Sequence, residues 1–285
     1  MAELLKGKAV ADDLDANTVL LVKKLEEQGI TPTLAILRVG NKDDDISYQR
    51  GATKKCDKVG ISVKSIVVSE DVDYDEFYKT LDQLNNDPEV HGILMLRPLP
   101  KRLDNEKARN SIVPHKDVDG CTDGSLAAIM TGKTYGFAPC TAEAVMETLK
   151  FYQIDVTGKN VTILGRSLVV GKPLALLMMN ANATVTVCHT KTVDVQAKSQ
   201  SADIVCTCTG HIESINGDYF SKGQTVIDVG IGFNEAKQKL CGDVLFEEAE
   251  PIVDRITPVP GGIGSVTTSI LVRHVVRAAL QSVKE

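Results

Sequence analysis

The stretch Asn160-Val161-Thr162-Ile163-Leu164-Gly165-Arg166-Ser167-Leu168-Val169-Val170-Gly171-Lys172-Pro173 decides how the second half of the chain folds. Its first five residues are mostly β-branched or apolar and read as a buried strand. Gly165-Arg166-Ser167 then turns the chain. A helix is expected from near Val170, with Pro173 early enough in its first turn to be tolerated. A strand that ends in a glycine turn before a helix brings unpaired N–H groups and the positive end of the helix dipole to one point, which suits a pyrophosphate. The turn lacks the full G-x-G-x-x-G pattern, so alone it also fits a plain strand–helix connection.

The same alternation repeats on both sides of this stretch. Toward the C-terminus, Thr184–Cys188 and residues 203–206 and 225–229 read as further strands, so residues 141–267 are expected to form a Rossmann-like unit. Toward the N-terminus, Val10, Leu14, Thr18, Leu21 and Leu25 recur every three or four positions and give one largely apolar helix face that stops at Gly29. Residues 32–39, Ser62–Val68 and residues 91–96 read as strands, with helices over about 47–58 and 74–84 between them. Continuous apolar strands separated by helices imply a parallel sheet covered on both faces. The last stretch, 267–283, is apolar enough to be a helix that packs back on the N-terminal domain. The expected fold class is α/β in two domains, residues 1–140 with 268–285 and residues 141–267.

Composition narrows the function. The chain has 285 residues, 43% hydrophobic and 25% charged, which is ample for a buried core. A net charge of −6 implies no broad basic face for nucleic acid. No run of apolar residues is long enough to span a membrane, and the N-terminal MAELLKGKAVADDLD has no apolar signal core. Seven cysteines, none in C-x-x-C spacing, fit structural thiols in a reducing compartment. A cytoplasmic protein is expected. No His and Cys cluster has zinc spacing, so no metal is expected.

The tip of the second strand of the Rossmann-like unit bears on the cofactor. NAD-binding folds commonly end that strand with a carboxylate that holds the ribose hydroxyls. Here it reads Cys188-His189-Thr190-Lys191, without one. Arg166, Thr190 and Lys191 suit a 2′-phosphate instead, so NADP is expected ahead of NAD. Lys191 as a solvated charge and His189 as a strand cap are the plainer alternatives.

Seven segments, in order along the chain, carry a resemblance. They are Lys116-Asp117-Val118-Asp119-Gly120, Pro139-Cys140-Thr141, Gly165-Arg166-Ser167-x-x-Val170-Gly171-x-Pro173, Ala183-Thr184-Val185-Thr186, Val226-Ile227-Asp228-Val229-Gly230-Ile231, Gly242-Asp243-Val244, and Thr257-Pro258-Val259-Pro260-Gly261-Gly262-Ile263-Gly264. Over essentially its whole length the chain resembles the methylenetetrahydrofolate dehydrogenase/methenyltetrahydrofolate cyclohydrolase family. The resemblance implies two α/β domains with a cleft between them, a folate in the cleft, NAD(P) on the Rossmann domain, and a homodimer. It implies that Tyr48 stacks on the folate, a task for which an aromatic face is suited. It implies that Asp119 holds the pterin, since a carboxylate can accept two N–H bonds from an aminopyrimidine edge. Asp117 lies two positions away and in an extended segment would face the same side, so spacing does not choose between the two. Pro260, Gly261 and Gly262 match the folate-side loop, where missing side chains allow close backbone approach. On the cofactor side the resemblance implies Gly165, Arg166, Ser167, Val170, Gly171, His189, Thr190, Thr209, Gly210, Ile231 and Thr267.

Two departures touch the second reaction. Bifunctional members carry a lysine four residues after the tyrosine, where this chain has Ala52, and a glutamine after the third strand, where it has Leu96. Dehydrogenation asks for positioning of donor and acceptor carbons. Cyclohydrolysis asks for a proton path to and from water, and its loss commonly lowers a rate by ~10²–10⁴. A dehydrogenase with weak or absent cyclohydrolase activity is therefore expected. The alternatives are a bifunctional enzyme and a non-catalytic folate- or nucleotide-binding module. Lys54, six residues after Tyr48, is turned about 200° from the +4 position and is expected to point away. Arg97 stands beside Leu96 and cannot act as a base near neutral pH.

Overall fold

The computed structural model describes residues 1–283. In chain order the N-terminal elements are β1 (Glu3–Leu4), α1 (Gly7–Glu26), β2 (Thr33–Val39), α2 (Asp43–Val59), β3 (Ser62–Val68), α3 (Tyr74–Asn86), β4 (Gly92–Met95), α4 (Asn105–Asn110), α5 (Asp123–Thr131) and α6 (Cys140–Phe151). There follow β5 (Asn160–Leu164), α7 (Gly171–Asn180), β6 (Thr184–Cys188), α8 (Val195–Gln200), β7 (Ile204–Thr207), β8 (Thr225–Asp228), β9 (Gly232–Asn234), β10 (Lys239–Cys241), α9 (Phe246–Ala249), β11 (Arg255–Ile256) and α10 (Gly264–Ser282). The chain forms two compact units, Asp13–Cys140 with the chain from Thr268 on, and Met1–Asp12 with Thr141–Thr267.

The first unit is built on a parallel sheet in the order β3-β2-β4. The central β2, TLAILRV, is buried from Leu34 to Val39, and the same holds for all of β4. β3 departs from the expected two-sided cover, because it lies at the sheet edge and alternates between exposed and half-buried positions. α3 shows how a helix is fixed here. Asp73 caps its start by accepting from the Asp75 N–H. Phe77, Leu81 and Leu84, at helical spacing, then enter a core with Leu37, Val39, Ile93 and Met95. Each such side chain contributes about 1.5–3 kcal/mol on burial. α2 opens on Asp43, Asp44 and Asp45, which favour the positive end of its dipole, and closes on Gly60 with φ 84°.

The second unit is a six-stranded parallel sheet in the order β1-β11-β8-β7-β5-β6, with a β9–β10 hairpin beside it. After β5 the chain adds β6 on one side, then crosses to β7 on the other. That reversal makes the C-terminal end of β5 the topological switch point, where open α/β sheets bind ligands. One expected boundary is corrected. Residues 1–140 were assigned to the first domain, yet Met1–Asp12 belong to the second unit. Glu3 pairs with Arg255 and Leu4 with Ile256, which adds the N-terminus to the sheet as its edge strand. Among the described residues no helix is long and apolar enough to cross a membrane, and no group of three or more His, Cys, Asp or Glu could hold a metal ion.

Candidate active site

In the first unit, Tyr48 of α2 and Asp119 come together. Burial, then the Asp119 and Cys140 groups, push the Tyr48 phenol above its ordinary value, while the residue keeps 44% of its surface open. A neutral phenol with an accessible ring is suited to stacking rather than to acid–base work. Asp119 is raised by burial and then by Asp117, and is pulled back by Arg97, His274 and a hydrogen bond from Cys140. Arg97 Nη2 lies 3.9 Å from Asp119 Oδ2.

The structure separates the two aspartates that spacing left equal. Asp117 is fully buried. Its carboxylate accepts from the Cys121 N–H at 3.0 Å, the Thr122 N–H at 2.8 Å and the Ser125 hydroxyl at 2.6 Å. Asp117 thus folds the turn into α5, and Asp119 keeps an open side. Behind them the buried His274 ring sits with Nδ1 2.8 Å from the Val118 carbonyl oxygen, beside Cys140 Sγ at 3.8 Å. A carbonyl only accepts, so Nδ1 carries the proton there. His274 thereby fixes the peptide that precedes Asp119.

The +4 and glutamine positions hold no group that exchanges protons. Ala52 and Leu96 are both buried side chains. Lys54 is exposed and lines a shallow groove with Arg38, Gln49 and Asp57, away from the Tyr48–Asp119 pair, as its helical angle requires. The amine that the sequence reading missed is Lys55. Seven residues after Tyr48, it returns to within about 20° of the same helix face. Its Nζ bonds Asp15 at 2.8 and 3.1 Å and Ser269 Oγ at 3.0 Å. Lys58 also donates to Asp15. Burial raises the Asp15 carboxyl, but the two lysines and Ser269 more than offset it and hold it below the usual range.

In the second unit, the cofactor candidates gather at the end of β5. Gly165 has φ 130°, and a Cβ there would sit 2.3 Å from the Cys208 carbonyl oxygen. A Cβ on Gly171 would meet the Gly165 carbonyl oxygen at 2.3 Å. Both positions are therefore closed to side chains, and the start of α7 is drawn onto the turn. Ser167 Oγ accepts the Val170 N–H at 3.1 Å, so its hydroxyl orders the turn. Arg166 and Thr190 are exposed, as is Lys191. His189 holds its own turn together, its Nδ1 accepting the Lys191 N–H at 3.1 Å. The Thr209 and Gly210 N–H groups are held by Asp243 Oδ2 at 2.5 and 3.3 Å. Ile231 projects into solvent just beyond β8. Thr267 bonds back to the Ile263 carbonyl in the first turn of α10. Of the folate-side loop, Gly261 lends its carbonyl to the Gly7 N–H at 2.8 Å, and Pro260 and Gly262 flank it in the same unit. Glycine turn, exposed Arg166 and carboxylate-free strand tip together fit a phosphorylated dinucleotide.

Comparison with known proteins agrees with both units. The profile for the catalytic domain of tetrahydrofolate dehydrogenase/cyclohydrolase matches residues 5–119, and that for its NAD(P)-binding domain matches residues 139–283. A Clostridium botulinum protein called "Bifunctional protein FolD" is 47% identical over 279 residues, covering 98% of this chain and 99% of that one. The crystal structure of the Campylobacter jejuni bifunctional methylenetetrahydrofolate dehydrogenase/cyclohydrolase superposes with a TM-score of 0.95 at 36% identity, with 99% of each chain covered. A Trypanosoma brucei dehydrogenase-cyclohydrolase, solved with NADP and an inhibitor, gives 0.91 at 32% identity, covering 100% of this chain and 99% of that one. With matches across both units and at this level of identity, the chain belongs to the tetrahydrofolate dehydrogenase/cyclohydrolase family.

Proposed function

We propose that the protein is a 5,10-methylenetetrahydrofolate dehydrogenase that uses NADP. The observation that carries this is one chain with an accessible tyrosine beside an open-sided aspartate, Tyr48 and Asp119, and a glycine turn at the switch point of a dinucleotide-type sheet. Tyr48 stacks on the folate and Asp119 accepts its pterin N–H groups. NADP, when bound, supplies the hydride acceptor. The methylene C–H bond breaks with its electron pair as a folate nitrogen lone pair moves in, leaving a delocalised amidinium cation. No side chain has to take a proton, so the residues' task is alignment. NADP over NAD is supported by the missing carboxylate after β6 and by exposed Arg166, Thr190 and Lys191, and by the NADP named for the trypanosomal relative. The resemblance supports a homodimer, and seven cysteines, none of them in a disulfide, support a reducing compartment, the cytoplasm.

The second half of the family's chemistry is weak or absent in this reading. Water attack on the cation needs a proton path, and Ala52 and Leu96 offer none. A bifunctional reading has two supports. Relatives at 47% identity are called bifunctional. Lys55 also lies on the Tyr48 face, and helical side chains lean toward the preceding turn, here the one that carries Ala52.

Both activities are to be assayed on one preparation, NADP reduction with methylenetetrahydrofolate and loss of methenyltetrahydrofolate absorbance over buffer. The expected result is robust reduction with little catalysed hydrolysis, and Ala52→Lys with Leu96→Gln is expected to raise the hydrolysis. Clear hydrolysis by the wild type that Lys55→Met removes would establish the bifunctional reading instead.

A further inference from the structure

We propose that Arg97 is a specificity residue for the substrate's pterin ring: its guanidinium, placed beside Asp119, donates to the ring's C4 carbonyl oxygen. The inference rests on the folate reading of Tyr48 and Asp119. The edge of a 2-amino-4-oxopterin presents an amino donor, an N–H donor and a carbonyl acceptor in sequence. A carboxylate is acceptor-only and can take both donors, which leaves the carbonyl without a partner. A guanidinium is donor-only and planar, and so supplies the missing third contact.

The geometry fits. At 3.9 Å, Arg97 Nη2 and Asp119 Oδ2 attract as charges but are too far apart to share a hydrogen bond. One ligand edge can therefore touch both groups at ordinary bond lengths of about 2.8–3.0 Å. Both side chains keep an open part, 27% for Arg97 and 31% for Asp119. Their supports are firm. Arg97 follows Leu96, whose N–H is held by the Leu37 carbonyl at 2.9 Å, and Asp119 follows the peptide fixed by His274. The groups facing Asp119 are Arg97, Asp117, His274, Cys140, Tyr48 and Cys121, and among them Arg97, His274 and the Cys140 hydrogen bond favour its charged form. A leucine side chain in place of Arg97 could give only apolar contact.

Exchanging the 4-oxo group for a 4-amino group tests this: it sets an amino donor against the Arg97 donors and turns N3 into an acceptor toward Asp119, and Arg97→Leu removes only the first of these two mismatches. The probes are folic acid and its 4-amino analogue, titrated calorimetrically into the wild type, Arg97→Leu, Arg97→Lys and Asp119→Asn, with melting temperatures recorded. The wild type is expected to prefer folic acid. Arg97→Leu should cut that preference about tenfold or more, mainly by weakening folic acid, at an unchanged melting temperature. Arg97→Lys should restore part of it. If Arg97→Leu fails to fold, Arg97→Met reads the same ratio. An Arg97→Leu ratio equal to the wild type's, with Asp119→Asn weakening both ligands, would overturn the role of Arg97 alone. If Asp119→Asn leaves both affinities untouched, the folate reading of the site fails, and the inference with it.

Discussion

Replacing Asp117 and Asp119 by asparagine, one at a time, should separate two roles that sequence spacing leaves equal. Asp117 is fully buried and accepts three hydrogen bonds from the turn into α5. Bonds to a charged acceptor contribute about 1.5–3 kcal/mol each, and not additively. An asparagine keeps one oxygen and turns an NH₂ toward an existing donor, so at least one bond is lost and one repulsion added. A loss of about 3 kcal/mol follows, or roughly 6–12 °C in melting temperature for a chain of this size. Asp119 has an open side and is raised by burial and by Asp117. Removing its charge relieves that repulsion, so Asp119→Asn should melt with the wild type or slightly above it. Its folate affinity should fall about tenfold or more, because a charge-assisted pair is lost. Differential scanning fluorimetry and calorimetric titration of folic acid on both variants read the two effects. The reasoning is refuted if Asp117→Asn keeps the wild-type melting temperature while folate binding collapses, or if Asp119→Asn is the less stable of the two.

Gly171→Ala should raise the KM for NADP about tenfold or more, since its Cβ would lie 2.3 Å from the Gly165 carbonyl oxygen and push the turn by about 1 Å; folic acid affinity should not change, and an unaltered KM would contradict the close-approach argument. Arg166→Ala should lower kcat/KM for NADP far more than for NAD, and equal losses would remove Arg166 from the 2′-phosphate. Burial, opposed by the Val244 N–H and the Thr207 hydroxyl and assisted by Asp243, pushes the Asp228 carboxyl up to about 7. The folded state then keeps a proton that the unfolded chain releases near pH 4, so stability falls as pH rises from about 4 to 7, by at most about 4 kcal/mol. The difference in urea midpoint between the wild type and Asp228→Asn should vary across that window and level off above it; a difference independent of pH would refute the shift.

The parts of the fold legible in sequence are those with a local period. β3, β5 and β6 lie where their β-branched and apolar runs end, and α3 follows the spacing of Phe77, Leu81 and Leu84. β1 and β11 have two residues each and are strands only because they lie side by side and, through β11, against β8, so no local pattern marks them. The site divides in the same way. The glycine turn at 165 was legible because a glycine between a strand and a helix marks a tight connection, and both Gly165 and Gly171 lie where a Cβ would meet backbone. Arg97 was not, since its meaning depends on Asp119, 22 positions on and in another element.

Lys55 carries this argument furthest. Helical angles alone dismiss Lys54 and return Lys55 to the Tyr48 face, so a sequence reading that stops at the helix would restore an amine to the site. What the amine does is decided elsewhere, by Asp15 on α1, 40 positions away, and Ser269 on α10, 214 positions away. The Lys55 Nζ donates to both Asp15 oxygens and to Ser269 Oγ, and these contacts hold the amine against α1 and α10. The ion pair ties the amine down, and freeing it with Asp15→Asn should raise hydrolysis only if Lys55 can reach the substrate. Unchanged hydrolysis in that variant, with folding intact, would leave Lys55 a structural tie between three helices.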